Sequence, residues 1–108
     1  MEITIEEQKS EELFRVFVAG EIDVYTAPEL KQKLLPLTES NDVILDLTGT
    51  GYIDSTALGV IIAALKKATK NGYHFSITGM SPRIERLFRV TGLTAILQRR
   101  NALGGENH

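Results

Sequence analysis

The 108-residue chain contains no cysteine, so disulfide bonds, thiolate catalysis and zinc or iron–sulfur sites built on cysteine are excluded. It also lacks any stretch close to the ~20 apolar residues that a membrane-spanning helix needs. The N-terminal residues 1–4 include an acid and do not lead into the apolar segment of a secretory signal. We therefore expect a cytoplasmic protein with no membrane partner.

An overall excess of basic residues is absent as well. Twelve lysines and arginines stand against 14 aspartates and glutamates, so nucleic acid is not an expected partner. The charges are unevenly placed, because residues 1–54 carry twelve acids and four bases, whereas residues 55–108 carry two acids and eight bases. A chain of this length buries roughly two-thirds of the surface that its unfolded form exposes, which supports one core but not two domains.

Four segments show the patterns of β-strands. They are residues 3–5, 13–18, 43–47 and 73–77. The first two alternate apolar and polar residues and are joined by the polar run 8–12, which predicts a hairpin. The third segment is apolar at nearly every position, which is typical of a central strand covered on both faces.

Three segments carry the start signals and the apolar spacing of α-helices. Thr26 is the predicted N-cap of the first helix, in a capping box with Glu29. The second helix is predicted from about Ser55 to Asn71, where leucine and isoleucine repeat at helical spacing before an Asn-Gly stop signal. The third occupies residues 82–92 behind a Ser-Pro start signal.

The order of these elements, β-β-α-β-α-β-α, predicts an α/β fold with a mixed, mostly parallel sheet flanked by about four helices. We assign residues 1–103 to one domain and residues 104–108 to a flexible tail. The segment after Leu93 is either a short helical turn or a last strand.

Reactive groups in such folds gather where the carboxyl ends of parallel strands meet. Two loops are expected at this edge, residues 20–25 and residues 48–59. Ser55 in the second loop starts a helix, where free N–H groups and the helix dipole favour an anion such as a phosphate. The alternative is that Asp54 or Ser55 serves as an ordinary N-cap with no further role.

Other kinds of chemistry have less support. Gly49 and Gly51 suggest a nucleotide loop, but Asp54 stands where the dinucleotide fingerprint requires glycine, and no Gly-Lys-Ser/Thr run is present. The two histidines lie in a predicted strand and in the tail, so a hydrolase triad is not expected. Asp23, Asp46 and Asp54 are candidate metal ligands, but Asp46 interrupts an apolar strand and is interpreted as a paired or strand-edge carboxylate, so no metal is predicted. No cofactor is predicted either.

Three motifs stand out in chain order. They are GEID at residues 20–23, DSTALG at residues 54–59 and LFRVTGL at residues 87–93. Together they resemble the bacterial anti-anti-sigma factors of the STAS-domain family, and the resemblance runs from about residue 2 to residue 100. The domain over residues 1–103 is accordingly identified as a STAS domain. Ala57 departs from the family pattern, which usually has glycine there, and we expect its methyl group to meet a docking kinase.

The resemblance implies an anti-sigma factor antagonist, not an enzyme, that acts in a stress response or in sporulation. In the family, an anti-sigma factor that is also a serine kinase phosphorylates the serine directly after the aspartate, and a serine phosphatase reverses this step. Here that serine is Ser55. The unphosphorylated form binds the anti-sigma factor and releases a sigma factor for transcription. The implied partner-binding residues are Glu21, Asp23, Asp54, Ser55 and Thr56.

Two further functions fit the size and the fold class. A receiver-like phosphoacceptor domain needs paired acids after the first central strand, and these are missing here. A small nucleotide-binding STAS module would use the loop at residues 49–55. Equilibrium dialysis with ATP and GTP distinguishes such a module from a partner-binding protein.

Overall fold

The computed structural model describes residues 3–10, 13–93 and 95–96, and within them four strands alternate with three helices. The elements are β1 (Ile3–Ser10), β2 (Leu13–Ile22), α1 (Ala27–Thr38), β3 (Asp42–Ile53), α2 (Ser55–Lys70), β4 (Phe75–Thr78) and α3 (Pro82–Val90). The α/β fold predicted from the sequence is confirmed. The described residues contain three complete helices where about four were expected, and the helical residues Leu93, Ala95 and Ile96 follow α3.

The strands form one sheet in the order β1-β2-β3-β4. β1 pairs with β2 in antiparallel fashion, and both the β2–β3 and the β3–β4 pairs are parallel, so the sheet is mixed and mostly parallel as predicted. The hairpin is confirmed, but β1 continues to Ser10, so the polar run that was expected to connect the strands is largely strand itself. The carboxyl ends of β2, β3 and β4 share one edge, from which the three helices begin.

One face of the sheet lies under α1 and α2, which also pack against each other. Strand residues such as Val16, Val18 and Leu45 are fully buried on this face. On the opposite face Arg15 and Ile44 are only partly buried, so the prediction that β3 is covered on both faces is wrong. β3 is nevertheless an inner strand, because it pairs with β2 on one side and with β4 on the other.

The hydrophobic core joins the covered face of the sheet to the apolar sides of the helices. α2 buries Leu58, Ile61 and Leu65, as their helical spacing predicts, and α3 adds Ile84 and Phe88. Each side chain of this size contributes ~1.5–3 kcal/mol when it leaves water. The core therefore fixes the start of each helix against the sheet edge.

The structure differs from the sequence prediction at the end of β3, where residues 48–53 continue the strand instead of forming a loop. Gly49 makes this possible, because a Cβ there would lie 3.0 Å from the Cβ of Ala19 on β2. The β2–β3 register shifts next to this contact, and Thr50 Oγ1 donates a hydrogen bond to the carbonyl of Val18 at 2.7 Å. The strand thus runs directly to the residue before Asp54.

The ends of α2 and α3 follow their sequence signals. Gly72 and Gly92 have φ angles of 83° and 81°, which a glycine adopts without strain. Leu93, Ala95 and Ile96 are helical, so a strand is the wrong alternative for them. The predicted tail at 104–108 lies outside the described residues. None of the helices in the described part of the chain is long and apolar enough to span a membrane.

Candidate functional site

A backbone hydrogen bond continues the pairing of β2 and β3 beyond the last residue of β3. The N–H of Asp54 donates to the carbonyl of Ile22 at 3.1 Å, and Ile22 pairs with Ile53 in the sheet. The segment at residues 20–26 therefore lies beside the first turn of α2. This confirms that the two motif-bearing segments share one edge of the sheet.

Asp54 is the N-cap of α2. Its backbone is extended, and its Oδ1 accepts a hydrogen bond from the N–H of Ala57 at 3.1 Å. Ser55 is therefore the first helical residue rather than the cap, and its side chain is exposed. Among the described residues, the Ser55 hydroxyl takes part in no hydrogen bond. Thr56, the next residue, is exposed as well.

Asp23 organises the loop between β2 and α1. It is 9% exposed, and its Oδ1 accepts hydrogen bonds from the N–H groups of Tyr25 at 2.9 Å and Thr26 at 3.1 Å. Burial acts to raise the pKa of this carboxyl, but the hydrogen bonds from Tyr25 and Thr26 outweigh it and hold the pKa below its usual value. Asp23 is therefore charged at neutral pH and holds the loop closed.

The capping box predicted between Thr26 and Glu29 is wrong. Thr26 precedes α1, but its side chain caps no helical N–H group. Its hydroxyl instead accepts from the N–H of Asp23 at 2.9 Å and donates to the carbonyl of Glu21 at 2.7 Å. Asp23 supplies the acceptor for the N–H groups of Tyr25 and Thr26. The Thr26 hydroxyl is therefore available to bond the loop to the end of β2.

The acids predicted from the sequence lie on the two segments that meet at the start of α2. Asp54 directly precedes Ser55, and Glu21 lies half-buried at the end of β2, paired in the sheet with Tyr52. Together with Asp23 they make this edge acidic, although the carboxylate of Asp23 is directed into its own loop. The structure therefore brings the five predicted residues to one edge, with Ser55 and Thr56 as its exposed hydroxyls.

Exposed apolar side chains at the same edge were not predicted from the sequence. Val24 is 55% exposed, Tyr25 81% and Tyr52 43%. Large side chains with this exposure are frequent anchors in protein interfaces, tyrosine above all. A signal was present, since both tyrosines stand within or next to the two motif-bearing segments.

A shallow groove of about 370 Å³ extends this edge between α1 and α2. Thr56 and Gly59 line it from α2, and Pro28 and Lys31 line it from α1. Gly59 lies one helical turn after Ser55, and a Cβ placed on it would meet nothing within 4 Å. The surface next to the exposed serine is thus open to a docking partner.

The expectation for Ala57 is wrong. Its side chain is fully buried and belongs to the core, so its methyl group faces the sheet and not a protein that docks at the surface. The helix start turns this residue inward because its N–H is bound by the Asp54 cap and its Cβ lies on the same side as Ile61. The departure from the family pattern therefore leaves the exposed site unchanged.

Comparison with known proteins agrees with these observations. The sequence profile of the STAS domain matches residues 4–104. The chain belongs to the STAS-domain family. Within this family, its curated relatives include the anti-sigma-B factor antagonist of Staphylococcus epidermidis, which is 39% identical over 99 residues. That match covers 90% of this STAS protein and 92% of the relative. Anti-sigma factor antagonists are regulatory binding proteins and not enzymes.

Solved structures share the fold. An anti-sigma factor antagonist from Mycobacterium paratuberculosis is 28% identical, with a TM-score of 0.73 over 88% of this chain and 82% of that one. The Bacillus protein SpoIIAA matches in its unphosphorylated form with 16% identity and a TM-score of 0.68, over 92% of this chain and 98% of that one. Its phosphorylated form matches with 15% identity and a TM-score of 0.69, over 85% and 86%. The SpoIIAA matches show the fold alone.

Proposed function

We propose that this STAS protein, with Ser55 unphosphorylated, binds an anti-sigma factor that is also a serine kinase and so releases a sigma factor for transcription in the cytoplasm. Phosphorylation of Ser55 by that partner ends the binding, and a serine phosphatase restores it. The observation that carries the proposal is the exposed Ser55 hydroxyl at the first position of α2. The curated relatives named as anti-sigma-B factor antagonists support it.

Ser55 is suited to accept a phosphoryl group. Asp54 performs the capping, so the serine hydroxyl is not needed to complete the helix. A kinase has access to it because the side chain is exposed and the neighbouring groove is open. The phosphate would sit at the positive end of the helix dipole, where negative charge stabilises the helix by ~0.3–1 kcal/mol.

The partner would dock on the surface formed by residues 20–26 and the first two turns of α2, here called the docking edge. Glu21, Asp54, Ser55 and Thr56 supply its polar groups. Tyr25 would be its apolar anchor, because it is the most exposed large hydrophobic side chain of the edge. Asp23 would act through the loop that presents Tyr25, since its carboxylate accepts that residue's N–H.

Phosphorylation would switch binding by electrostatics. A phosphate adds about −1.5 to −2 charges at pH 7, beside Asp54 and Glu21, in a surface matched to a neutral hydroxyl. An uncompensated buried charge of this kind costs ~3 kcal/mol or more, which is roughly a hundredfold in affinity. No refolding is needed, because the phosphate would lie at the positive end of α2, where negative charge is favourable.

The acceptor is identified by peptide mapping after incubation with the cognate kinase and ATP. We expect one phosphoryl group, on Ser55. The exposed neighbour provides the matched control: Ser55→Ala should abolish modification, whereas Thr56→Ala should leave it intact. A phosphate on Thr56, or full modification of the Ser55→Ala variant, would show that the acceptor is another residue.

The role of Asp23 is tested by two substitutions that differ in hydrogen bonding. Asp23→Ala removes the acceptor for the N–H groups of Tyr25 and Thr26, whereas Asp23→Asn keeps an oxygen there. We expect titration calorimetry to show a larger loss of affinity for the alanine variant than for the asparagine variant. Glu6→Ala, which removes an exposed acid on β1, should leave the affinity unchanged. Equal affinities of Asp23→Ala and Glu6→Ala would remove Asp23 from the interface.

A further inference from the structure

A second groove, separate from the docking edge, lies between the end of β3 and helix α3. Its volume of about 430 Å³ is within the range of small-molecule sites. Its floor is apolar, with Ile53 and Ile84 buried and Leu87 half-buried. Tyr52 and Val90 form its walls and are 43% and 76% exposed. Among the described residues, the apolar surface that the groove leaves exposed is therefore that of Tyr52, Leu87 and Val90.

Two arginines line the same groove. Arg83 and Arg86 lie one turn apart on α3, and both are exposed. Arg89, one turn further on, forms an ion pair with Glu85 at 3.8 Å and does not line the groove. Within residues 3–10, 13–93 and 95–96, neither Arg83 nor Arg86 lies within 4.0 Å of a carboxylate oxygen. The groove therefore combines an apolar floor with two guanidinium groups that lack an acidic partner there.

We propose that this groove binds an organic acid with an apolar body, of the fatty-acid class. The hydrocarbon body would cover Tyr52, Leu87 and Val90, and the carboxylate would meet the guanidinium groups, whose planar donors match carboxylate geometry. The proposal does not depend on the function of Ser55, because no residue of 20–26 or of the first two turns of α2 lines the groove, although its wall Tyr52 pairs with Glu21 in the sheet.

The lining favours this ligand over a nucleotide. The polar side chains around the groove are those of Tyr52, Arg83 and Arg86. The guanidinium groups donate hydrogen bonds and do not accept them, so among the side chains that line the groove in the described residues, the tyrosine hydroxyl is the one acceptor for the amino group of an adenine or guanine base. An unpaired polar group costs free energy on burial, whereas a hydrocarbon chain leaves none unpaired.

The test is a titration of the 108-residue protein with decanoate, below its micelle concentration, followed by backbone amide NMR. We expect saturable shifts centred on Tyr52, Ile84 and Val90. Decan-1-ol, which has the same chain without the charge, should bind about tenfold more weakly. Shifts spread over the molecule, or equal binding of the acid and the alcohol, would overturn the proposal.

The matched variants are Arg86→Gln and Arg89→Gln, which remove the same charge from the same helix. Arg86→Gln should weaken decanoate binding about threefold, and the double variant Arg83→Gln/Arg86→Gln about tenfold. Arg89→Gln should leave the affinity unchanged, because that side chain lies outside the groove. An equal loss in Arg86→Gln and Arg89→Gln would show that decanoate senses only the net charge of α3. The amide spectrum of each variant reports directly whether its fold is intact.

Discussion

Gly59 offers a substitution that should separate stability from partner binding. It lies on α2 one turn after Ser55, it is exposed, and a Cβ at this position would meet nothing within 4 Å. A glutamine there would add no clash inside the molecule, but its side chain would project into the groove beside Thr56 and Lys31. We therefore expect Gly59→Gln to stabilise the protein and to block the docking edge.

The size of both effects follows from the position. Replacing glycine by glutamine inside an exposed helix gains ~0.5–1 kcal/mol, because glycine has more conformational freedom to lose on folding. For a domain of this length, each kcal/mol raises the Tm by about 4–8 °C. The partner would have to displace the new side chain from the groove, for which we expect at least a tenfold loss of affinity, or ~1.4 kcal/mol.

Melting curves and titration calorimetry with the anti-sigma factor measure the two quantities. Thr69→Gln is the matched control, because it places the same side chain at an exposed position near the other end of α2. This control should bind the partner as tightly as the wild type. If Gly59→Gln is more stable and still binds with unchanged affinity, the partner does not dock beside Ser55.

Two further predictions concern the stability of the sheet. Asp46 accepts hydrogen bonds from the hydroxyl and N–H of Thr48 and pairs with Arg15 at 3.4 Å; these contacts outweigh burial and lower its pKa below the ordinary 3.8. The contribution of Asp46 to the free energy of unfolding is therefore complete above pH 3.8 and is lost as the pH falls through the lower folded pKa. Urea titrations should show that acid lowers the free energy of unfolding less for Asp46→Asn than for the wild type. Equal decreases would contradict this. Gly79 has a φ of 76°, and a Cβ there would clash with the hydroxyl of Thr48 and lie 2.8 Å from both Asp46 Oδ1 and the backbone nitrogen of Thr48. Gly79→Ala should cost at least ~2 kcal/mol, more than Gly72→Ala, which has a similar φ of 83° but open space around it. Equal costs would show that the contacts with Thr48 and Asp46 are unimportant.

The bounds of a helix or strand could be predicted from the sequence where its local start and stop signals met no competing contact. α2 begins and ends where the Asp54 cap and the Asn-Gly stop indicate, since no other residue competes for those positions. β3 was predicted too short, because a glycine such as Gly49 is typical of a turn. What keeps it in the strand is its close contact with Ala19 on the neighbouring strand, and a contact between distant segments leaves no local signal.

The candidate site shows the same division. The acid and the two hydroxyls at the start of α2 were predicted from one short motif, and the structure assigns capping to Asp54 and leaves Ser55 exposed. Two side-chain directions were predicted wrongly. Thr26 turns back to Glu21 because Asp23 satisfies the nearby N–H groups, and Ala57 turns into the core. The direction of each side chain depends on which of several possible neighbours it contacts, and the sequence alone does not determine that neighbour.

The proposed switch is tested most directly by measuring the affinity of the anti-sigma factor for the plain protein and for protein phosphorylated on Ser55, with amide NMR spectra and melting curves of both forms. We expect a loss of affinity of roughly a hundredfold or more, because burying the uncompensated phosphate charge against the partner costs ~3 kcal/mol. The amide shifts should stay near residues 20–26 and the first turn of α2, and the Tm should not fall, because the phosphate sits at the positive end of that helix. The contrary result is equal affinity of the partner for both forms, together with shifts across the sheet and a sharp fall in Tm.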